Sequence, residues 1–204
     1  MSASFDHADE DLWAFSYGSL MWRPGFAYKE RVPARLVGLH RALCVYSFIH
    51  RGTPEKPGLV LGLDRGGTCR GIAYLVDKAQ RAETLAYLRM REQVTHVYRE
   101  SMRPVTLTAP HDHALEGLPG GRNAVDSRVT ALVYVVDRSH PQYAGRLDLH
   151  EQLHLVRQGH GQSGANRDYV LATIKEIEEQ GCFDAKLHRL AALLKGVHET
   201  HAAE

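Results

Sequence analysis

The sequence predicts an α+β fold, in which a mixed and closed β-sheet is surrounded by helices. Segments rich in strand formers dominate the first two-thirds of the 204-residue chain, and helical patterns dominate the last third. With 44% hydrophobic residues, the chain can bury one sizeable core. We therefore expect a single domain over residues 12–199, preceded by a flexible segment over residues 1–11.

The predicted strands share a high content of Val, Leu, Tyr and other strand formers. They cover residues 12–17, 34–48, 59–63, 69–76, 97–108 and 128–136. The last contains VTALVYVVD, which is nearly continuously apolar, as in a strand covered on both faces. Turn signals lie at HRGTPEKPG (50–58), DRGGT (64–68) and APHDHALEGLPGGRN (109–123), and we expect these loops to surround a site.

One helix is predicted within the strand series and three follow it. Their ranges are 78–91, 148–158, 166–180 and 184–197. Gly159 and Gly181 stand where glycines commonly end helices, and Asp184 is suited to cap the last helix at its N-terminus.

Composition argues against several classes of partner. Lys and Arg number 25 against 24 for Asp and Glu, so no strong field exists to recruit nucleic acid or an anionic membrane. The odd set of Cys44, Cys69 and Cys182 indicates a reducing compartment, with Cys44 and Cys69 as small core residues. The first residues lack the basic and apolar regions of a signal peptide. These features predict a cytoplasmic, soluble protein.

The 13 histidines raise the question of a metal site. His111 and His113 flank Asp112, whereas His150, His154 and His160 accompany one helix. Neither set has the H-E-x-x-H pattern or a companion Cys/His cluster that would complete a site. We therefore expect no metal and solvated or locally hydrogen-bonded histidines.

The segment AFSYGSLMWRPGF, residues 14–26, is a buried strand that opens into a small loop. Gly18 follows the strand end, where glycine permits a positive φ and the close approach of a ligand or another backbone segment. Ser19 adds a hydroxyl beside several backbone N–H groups, an arrangement that suits an anion. It suits a tight turn without a ligand equally well.

Glu92 lies at the end of the helix predicted over residues 78–91. Ala82, Leu85, Leu88 and Glu92 share one stripe of the helical wheel, so the carboxylate points the same way as the apolar face. Desolvation and the negative end of the helix dipole both disfavour the charged form, so we expect a raised pKa that suits a general acid/base. The alternative is an ordinary ion pair with a neighbouring arginine, for which the candidates are Arg89, Arg91 and Arg99.

Several motifs occur in an order that resembles the ChaC-like branch of the γ-glutamylcyclotransferases. They are YGSLMW, HRGTPEKPGLV, CRGIAYLV, LRMRE, QYAG and GANRDYV, and together they run through most of the chain. The resemblance implies a γ-glutamylcyclotransferase-like fold, a small mixed β-barrel with flanking helices. It also implies cleavage of the small-molecule substrate glutathione to 5-oxoproline and cysteinylglycine, without a metal or organic cofactor.

The same resemblance implies roles for particular residues. The YGSL loop would hold the γ-glutamyl group, and the glutamate of the RE pair, Glu92, would be catalytic. The substrate-binding residues would be Tyr17, Gly18, Ser19, Leu20, Met21 and Tyr143. Tyr143 and Tyr169 match positions that can bring a phenolic hydroxyl to the substrate, although core packing explains them too. Arg51 either meets the glycyl carboxylate or braces its own loop.

Two alternative functions stay open from the sequence. The substrate could be another γ-glutamyl compound, in which case only the loops on the product side would differ. The chain could instead be a non-catalytic regulatory protein associated with cation transport. An inward carboxylate at Glu92 argues against a pure binder, because it costs stability and serves no purpose in binding an anion.

Overall fold

The computed structural model describes residues 9–108 and 127–196. These residues form two compact units, and the long strands β2 and β3 contribute to both. The first unit comprises the described residues up to Arg41 and those within Leu63–Val135, and the second comprises Ala42–Gly62 and the described residues from Val136 onward. The single domain expected from the sequence stays a prediction.

Five strands close into a barrel with the order β1-β3-β2-β4-β5. Their bounds are β1 Leu12–Ser16, β2 Glu30–Ser47, β3 Gly58–Val76, β4 Tyr98–Leu107 and β5 Arg128–Val136. Strand β1 pairs antiparallel with β3 and parallel with β5. The sheet is therefore mixed, and the α+β barrel with flanking helices predicted from the sequence is confirmed.

Helix α1, Arg81–Glu92, follows a short 3-10 helix, Lys78–Gln80, whose first turn is capped by the carboxylate of Asp77. Its buried leucines, Leu85 and Leu88, belong to one apolar cluster with residues of three strands. The strand members of that cluster are Leu12, Ala14, Val76, Leu132 and Tyr134. Burying the apolar side of α1 against β1, β3 and β5 fixes the rotation of the helix, and so the direction in which its last residue points.

The second unit contains helices α2 Leu149–Gln158, α3 Asn166–Glu179 and α4 Ala185–Lys195, which pack pairwise against each other. A two-stranded sheet of β6, His160–Gly161, and β7, Gly164–Ala165, links α2 to α3. Asp148 caps α2 through a capping box with Glu151, and Asp184 caps α4 as predicted. Each cap satisfies N–H groups that the helix itself leaves unpaired.

Two of the predicted strands are a single strand. The ranges 59–63 and 69–76 both belong to β3, so the turn expected at DRGGT is wrong. Gly66 and Gly67 have φ of +93° and +70°. Because glycine tolerates positive φ, the pair allows these left-handed conformations inside the strand. The loop over residues 109–123 and the last residues of the helix predicted to reach 197 lie outside the described residues.

Three glycines of the second unit pack against the backbone of Arg51. An added Cβ would lie 2.1 Å from the Arg51 carbonyl oxygen at Gly58, 2.6 Å from that oxygen at Gly159, and 2.7 Å from the Arg51 nitrogen at Gly161. Gly159 ends α2 at φ −68°, so close approach, rather than a left-handed conformation, requires glycine there. Gly181, with φ +71°, follows α3 as a left-handed terminal glycine should.

Asn166, the first residue of α3, is hydrogen-bonded to Leu59 near the start of β3. Its fully buried amide accepts from Leu59 N at 2.7 Å and donates to Leu59 O at 2.8 Å. Asn166→Ala leaves both backbone groups buried and unpaired, so the free energy of unfolding in urea should fall by about 2–4 kcal/mol. Removing the exposed cap with Asp148→Ala is the matched control, for which we expect a loss of about 1 kcal/mol. Equal losses in the two variants would contradict this account.

Candidate active site

The loop after β1 presents a run of unused backbone donors. A short 3-10 turn, Ser19–Met21, forms because Met21 N donates to Gly18 O at 2.8 Å and Arg23 N donates to Ser19 O at 2.9 Å. In the described part of the chain, the N–H groups of Gly18, Ser19 and Leu20 donate to no acceptor. Successive free N–H groups make a concavity that suits an anion.

Arg41 of β2 anchors this loop from behind, and sequence reasoning missed it. Its guanidinium, in a residue only 6% exposed, donates to the carbonyl oxygens of Tyr17 and Arg70 and contacts the sulfur of Met21 at 3.6 Å. No carboxylate among the described residues pairs with it. The C=O and N–H groups of a trans peptide point in opposite directions. Holding the Tyr17 carbonyl therefore turns the Gly18 N–H away from Arg41.

Tyr74 of β3 holds the other end of the loop. The single proton of its hydroxyl is shared between Leu20 O, at 3.1 Å, and Met21 O, at 2.8 Å, and Arg31 donates to the same Met21 oxygen at 3.4 Å. Burial raises the pKa of the Tyr74 phenol above its ordinary value, so the hydroxyl keeps the proton that it donates. The loop is thus fixed through its carbonyl groups at both ends.

Gly18 does not adopt the positive φ that the sequence suggested. Its φ and ψ are both −137°, so the left-handed region plays no part here. The glycine instead leaves space beside the free N–H groups, because it has no side chain to cover them. The structure places Tyr17 and Met21 in the core, whereas Ser19 is exposed and Gly18 and Leu20 are partly buried.

Glu92 is the last residue of α1, and its side chain is 18% exposed. The inward direction expected from the wheel is confirmed, although the buried face consists of Arg81, Thr84, Leu85 and Leu88. Ala82 is exposed, so its place in the predicted stripe was wrong. Burial raises the pKa of the Glu92 carboxyl, and the positive charge of Arg91 lowers it in part. The carboxyl therefore titrates closer to neutrality than a solvated glutamate.

Arg91 connects the carboxylate to the loop. Its Nε lies 3.4 Å from Glu92 Oε1, and its Nη2 donates to Ser19 Oγ at 2.8 Å. The ion pair that the sequence offered as an alternative is therefore present, but it is long. Arg89 forms a bidentate pair with Glu100 at 2.8 and 3.0 Å.

Tyr134 of β5 and Glu100 of β4 form a second polar group near Glu92. The Tyr134 hydroxyl donates to Glu100 Oε1 at 3.1 Å. Burial raises the pKa of Tyr134 far above its ordinary value, the charge of Glu100 raises it further, and Glu92 adds a smaller effect. Tyr134 is thus a neutral hydrogen-bond donor at any physiological pH, and the hydrophobic pattern of β5 concealed it.

Tyr143, Tyr169 and Arg51 belong to the second unit. Tyr143 forms an isolated bridge with Val45, and the guanidinium of Arg138 lies 5.8 Å from its ring centroid. Arg51 donates to Ser163 O and lies over the ring of Tyr169. Bracing of its loop is therefore the role that the contacts of Arg51 support, and substrate contact by Tyr143 stays a prediction.

No group of three or more His, Cys, Asp or Glu side chains in the described ranges is arranged to hold a metal ion. His150 and His154 lie on exposed positions of α2, and the set at residues 111–113 is outside the described residues. Each described helix is too short or too polar to cross a membrane.

Comparison with known proteins places the chain in a family. The model of the ChaC-like protein family matches residues 12–200. The glutathione-specific γ-glutamylcyclotransferase of Escherichia coli is 30% identical over 90% of this chain and 73% of its own length. The human glutathione-specific γ-glutamylcyclotransferase 1 is 34% identical over 96% of this chain and 84% of its own length.

A solved structure shows the same fold. The crystal structure of the yeast γ-glutamylcyclotransferase specific to glutathione superposes with a TM-score of 0.76 at 23% identity, covering 95% of this chain and 99% of that one. Because the family model spans the barrel, the loop after β1 and the three C-terminal helices, the chain is a member of the ChaC-like protein family.

Proposed function

We propose that this protein cleaves glutathione to 5-oxoproline and cysteinylglycine, as a γ-glutamylcyclotransferase of the ChaC-like family. One observation carries the proposal: the side chain of Arg91 contacts both Glu92 and the loop of free N–H groups. Burial raises the pKa of this glutamate. The names of its relatives support the same activity. Three free cysteines fit a reducing compartment, and we propose the cytoplasm.

The loop would bind the α-carboxylate of the γ-glutamyl group. The N–H groups of Gly18, Ser19 and Leu20 would donate to its oxygens, with Tyr17 and Met21 fixing the backbone from the core. The buried charge of Arg41 lies behind the Tyr17 carbonyl and favours an anion on the open side. Binding the carboxylate here would present the α-ammonium and the γ-carbonyl to Glu92, and Tyr143 is proposed as a further substrate contact.

Glu92 would carry the proton in both halves of the reaction. Its carboxylate takes a proton from the α-ammonium, and the freed amine attacks the γ-carbonyl carbon to close a five-membered ring. The attacking nitrogen then releases its second proton to water, and the bond from that carbon to the cysteinyl nitrogen breaks as Glu92 returns the first proton to the departing amine. The released amine takes up one proton from water, so the protons balance. Both reacting groups belong to one molecule, so the protein supplies conformation, proton transfer and charge stabilisation. A pKa raised toward neutrality suits both roles of Glu92.

Mass spectrometry tests the activity directly. Purified protein incubated with glutathione should yield 5-oxoproline and cysteinylglycine in equal amounts. Added EDTA should leave the yield unchanged, because ring closure requires proton transfer and no Lewis acid. If the protein turned over another γ-glutamyl compound and left glutathione intact, that compound would be the substrate. Absence of 5-oxoproline from every γ-glutamyl compound would overturn the proposal.

Glu92→Gln should lower kcat for glutathione by about 10²-fold or more, because the amide keeps the shape of the side chain but cannot carry a proton. Substrate binding should survive. Glu83→Gln, at an exposed glutamate in the first turn of α1, is the matched control and should leave kcat unchanged. Steady-state kinetics of both variants decide whether Glu92 acts in turnover.

The stability of Glu92→Gln should also depend on pH in a defined direction. Because the folded state raises the pKa of Glu92, ionising this carboxyl costs stability as pH rises through the folded pKa. The variant should therefore unfold at the same or a higher temperature than the parent at neutral pH, and the difference should shrink in acid. A variant that is clearly less stable yet turns over normally would identify Glu92 as a structural ion-pair partner.

Gly18→Val should raise KM for glutathione by about tenfold or more while the protein stays folded. The expected cause is obstruction, because the valine side chain would cover N–H groups that would bind a charged oxygen. Gly18→Ala, with a single methyl group, should give a smaller increase. Near-normal kcat/KM in the valine variant would exclude the loop as the carboxylate site.

A further inference from the structure

Arg91 makes several contacts that have no part in the proton transfer proposed for Glu92. Its guanidinium donates to Ser19 Oγ at 2.8 Å, to Arg23 O at 3.1 Å and to Tyr87 OH at 2.8 Å, and its Nε lies 3.4 Å from Glu92 Oε1. The acceptors come from the loop after β1, from the segment that follows it and from α1 itself. One planar side chain therefore fixes the end of α1 against the loop.

We propose that Arg91 is a positioning residue for the cyclotransferase reaction, which holds the end of α1 against Ser19 and supplies a positive charge beside the Glu92 carboxylate. This inference rests on the proposed function of the same site. Lysine could not replace arginine in the first role, because only a guanidinium presents several donors in a fixed plane.

The distance between Arg91 Nε and Glu92 Oε1 is suited to an electrostatic role of Arg91. Charge-assisted N–H···O bonds are normally about 2.7–2.9 Å long, so a separation of 3.4 Å gives electrostatic attraction without a tight hydrogen bond. The carboxylate is thus stabilised in its ionised form but is not held by Arg91 in a fixed pair. A general base needs both properties, since it must be ionised before turnover and able to reach the proton.

Other charged groups near Glu92 do not duplicate Arg91. Tyr134 of β5 is neutral, and its hydroxyl is donated to Glu100 of β4. The charge of Glu100 is met by both donors of Arg89 at 2.8 and 3.0 Å. The effects on the Glu92 pKa are burial, which raises it, and the charge of Arg91, which lowers it. Removing that charge leaves burial unopposed.

The test compares Arg91→Gln with Arg91→Lys by measuring the pH dependence of kcat/KM for glutathione, whose acidic limb reports ionisation of the free enzyme. In Arg91→Gln the acidic limb should move to higher pH, and KM should rise about tenfold through loss of a charge-assisted contact to the loop. In Arg91→Lys the acidic limb should stay near that of the parent, because the positive charge is kept. KM should be raised as in Arg91→Gln, because the planar set of guanidinium donors is lost. The substrate is the same throughout, so a moved limb belongs to the protein.

The outcomes separate this inference from the proposed function. An acidic limb that does not move in Arg91→Gln overturns the electrostatic role, and an unchanged KM in both variants overturns the positioning role. If the parent protein fails to turn over glutathione, the proposed function fails first. A ¹³C NMR titration of the Glu92 carboxyl in the parent and in Arg91→Gln then still measures the effect of the charge. Equal titration midpoints would refute it.

Discussion

The buried guanidinium of Arg41 is the interaction on which the loop after β1 depends. Desolvating a cation without an adjacent carboxylate is costly, and here backbone carbonyl groups provide the compensation. Those carbonyl groups can serve in this way only if the peptides at Tyr17 and Arg70 face Arg41. The requirement orients the start of the loop, and with it the N–H groups that point the other way. The barrel thus provides both a scaffold and a fixed positive charge behind the loop.

A second constraint acts on Glu92, the other part of the proposed site. Packing of Leu85 and Leu88 in the barrel cluster fixes α1, so the last residue of the helix carries its carboxylate inward. Ionisation there is opposed by burial and favoured by Arg91. The two halves of the site are built independently: strand side chains hold the carbonyl groups of the loop, and packing fixes the helix. Within residues 9–108 and 127–196, Arg91 is a side chain that contacts both halves.

The sequence predicted those features that local patterns control. Helical periodicity predicted the inward direction of Glu92, and strand-forming runs predicted the mixed barrel. Ala82 was misplaced because the buried stripe centres on Leu85 and Leu88, one turn after Arg81 and Thr84. Arg41 and Tyr74 were missed because their role depends on contacts between distant strands. A single arginine in a strand pattern is ordinarily read as an exposed residue, and nothing local marks its burial.

The three glycines around the Arg51 backbone have a consequence for how this protein can vary. A methyl group at Gly58, Gly159 or Gly161 would overlap main-chain atoms, which cannot turn aside as a side chain can. Compensating changes elsewhere in the sequence therefore have no obvious route to restore the fit. In a deep mutational scan, these positions would tolerate fewer substitutions than the leucines of the core, whose neighbours can repack. Sequence divergence in this part of the molecule is limited by close contacts between main-chain segments, whatever the substrate.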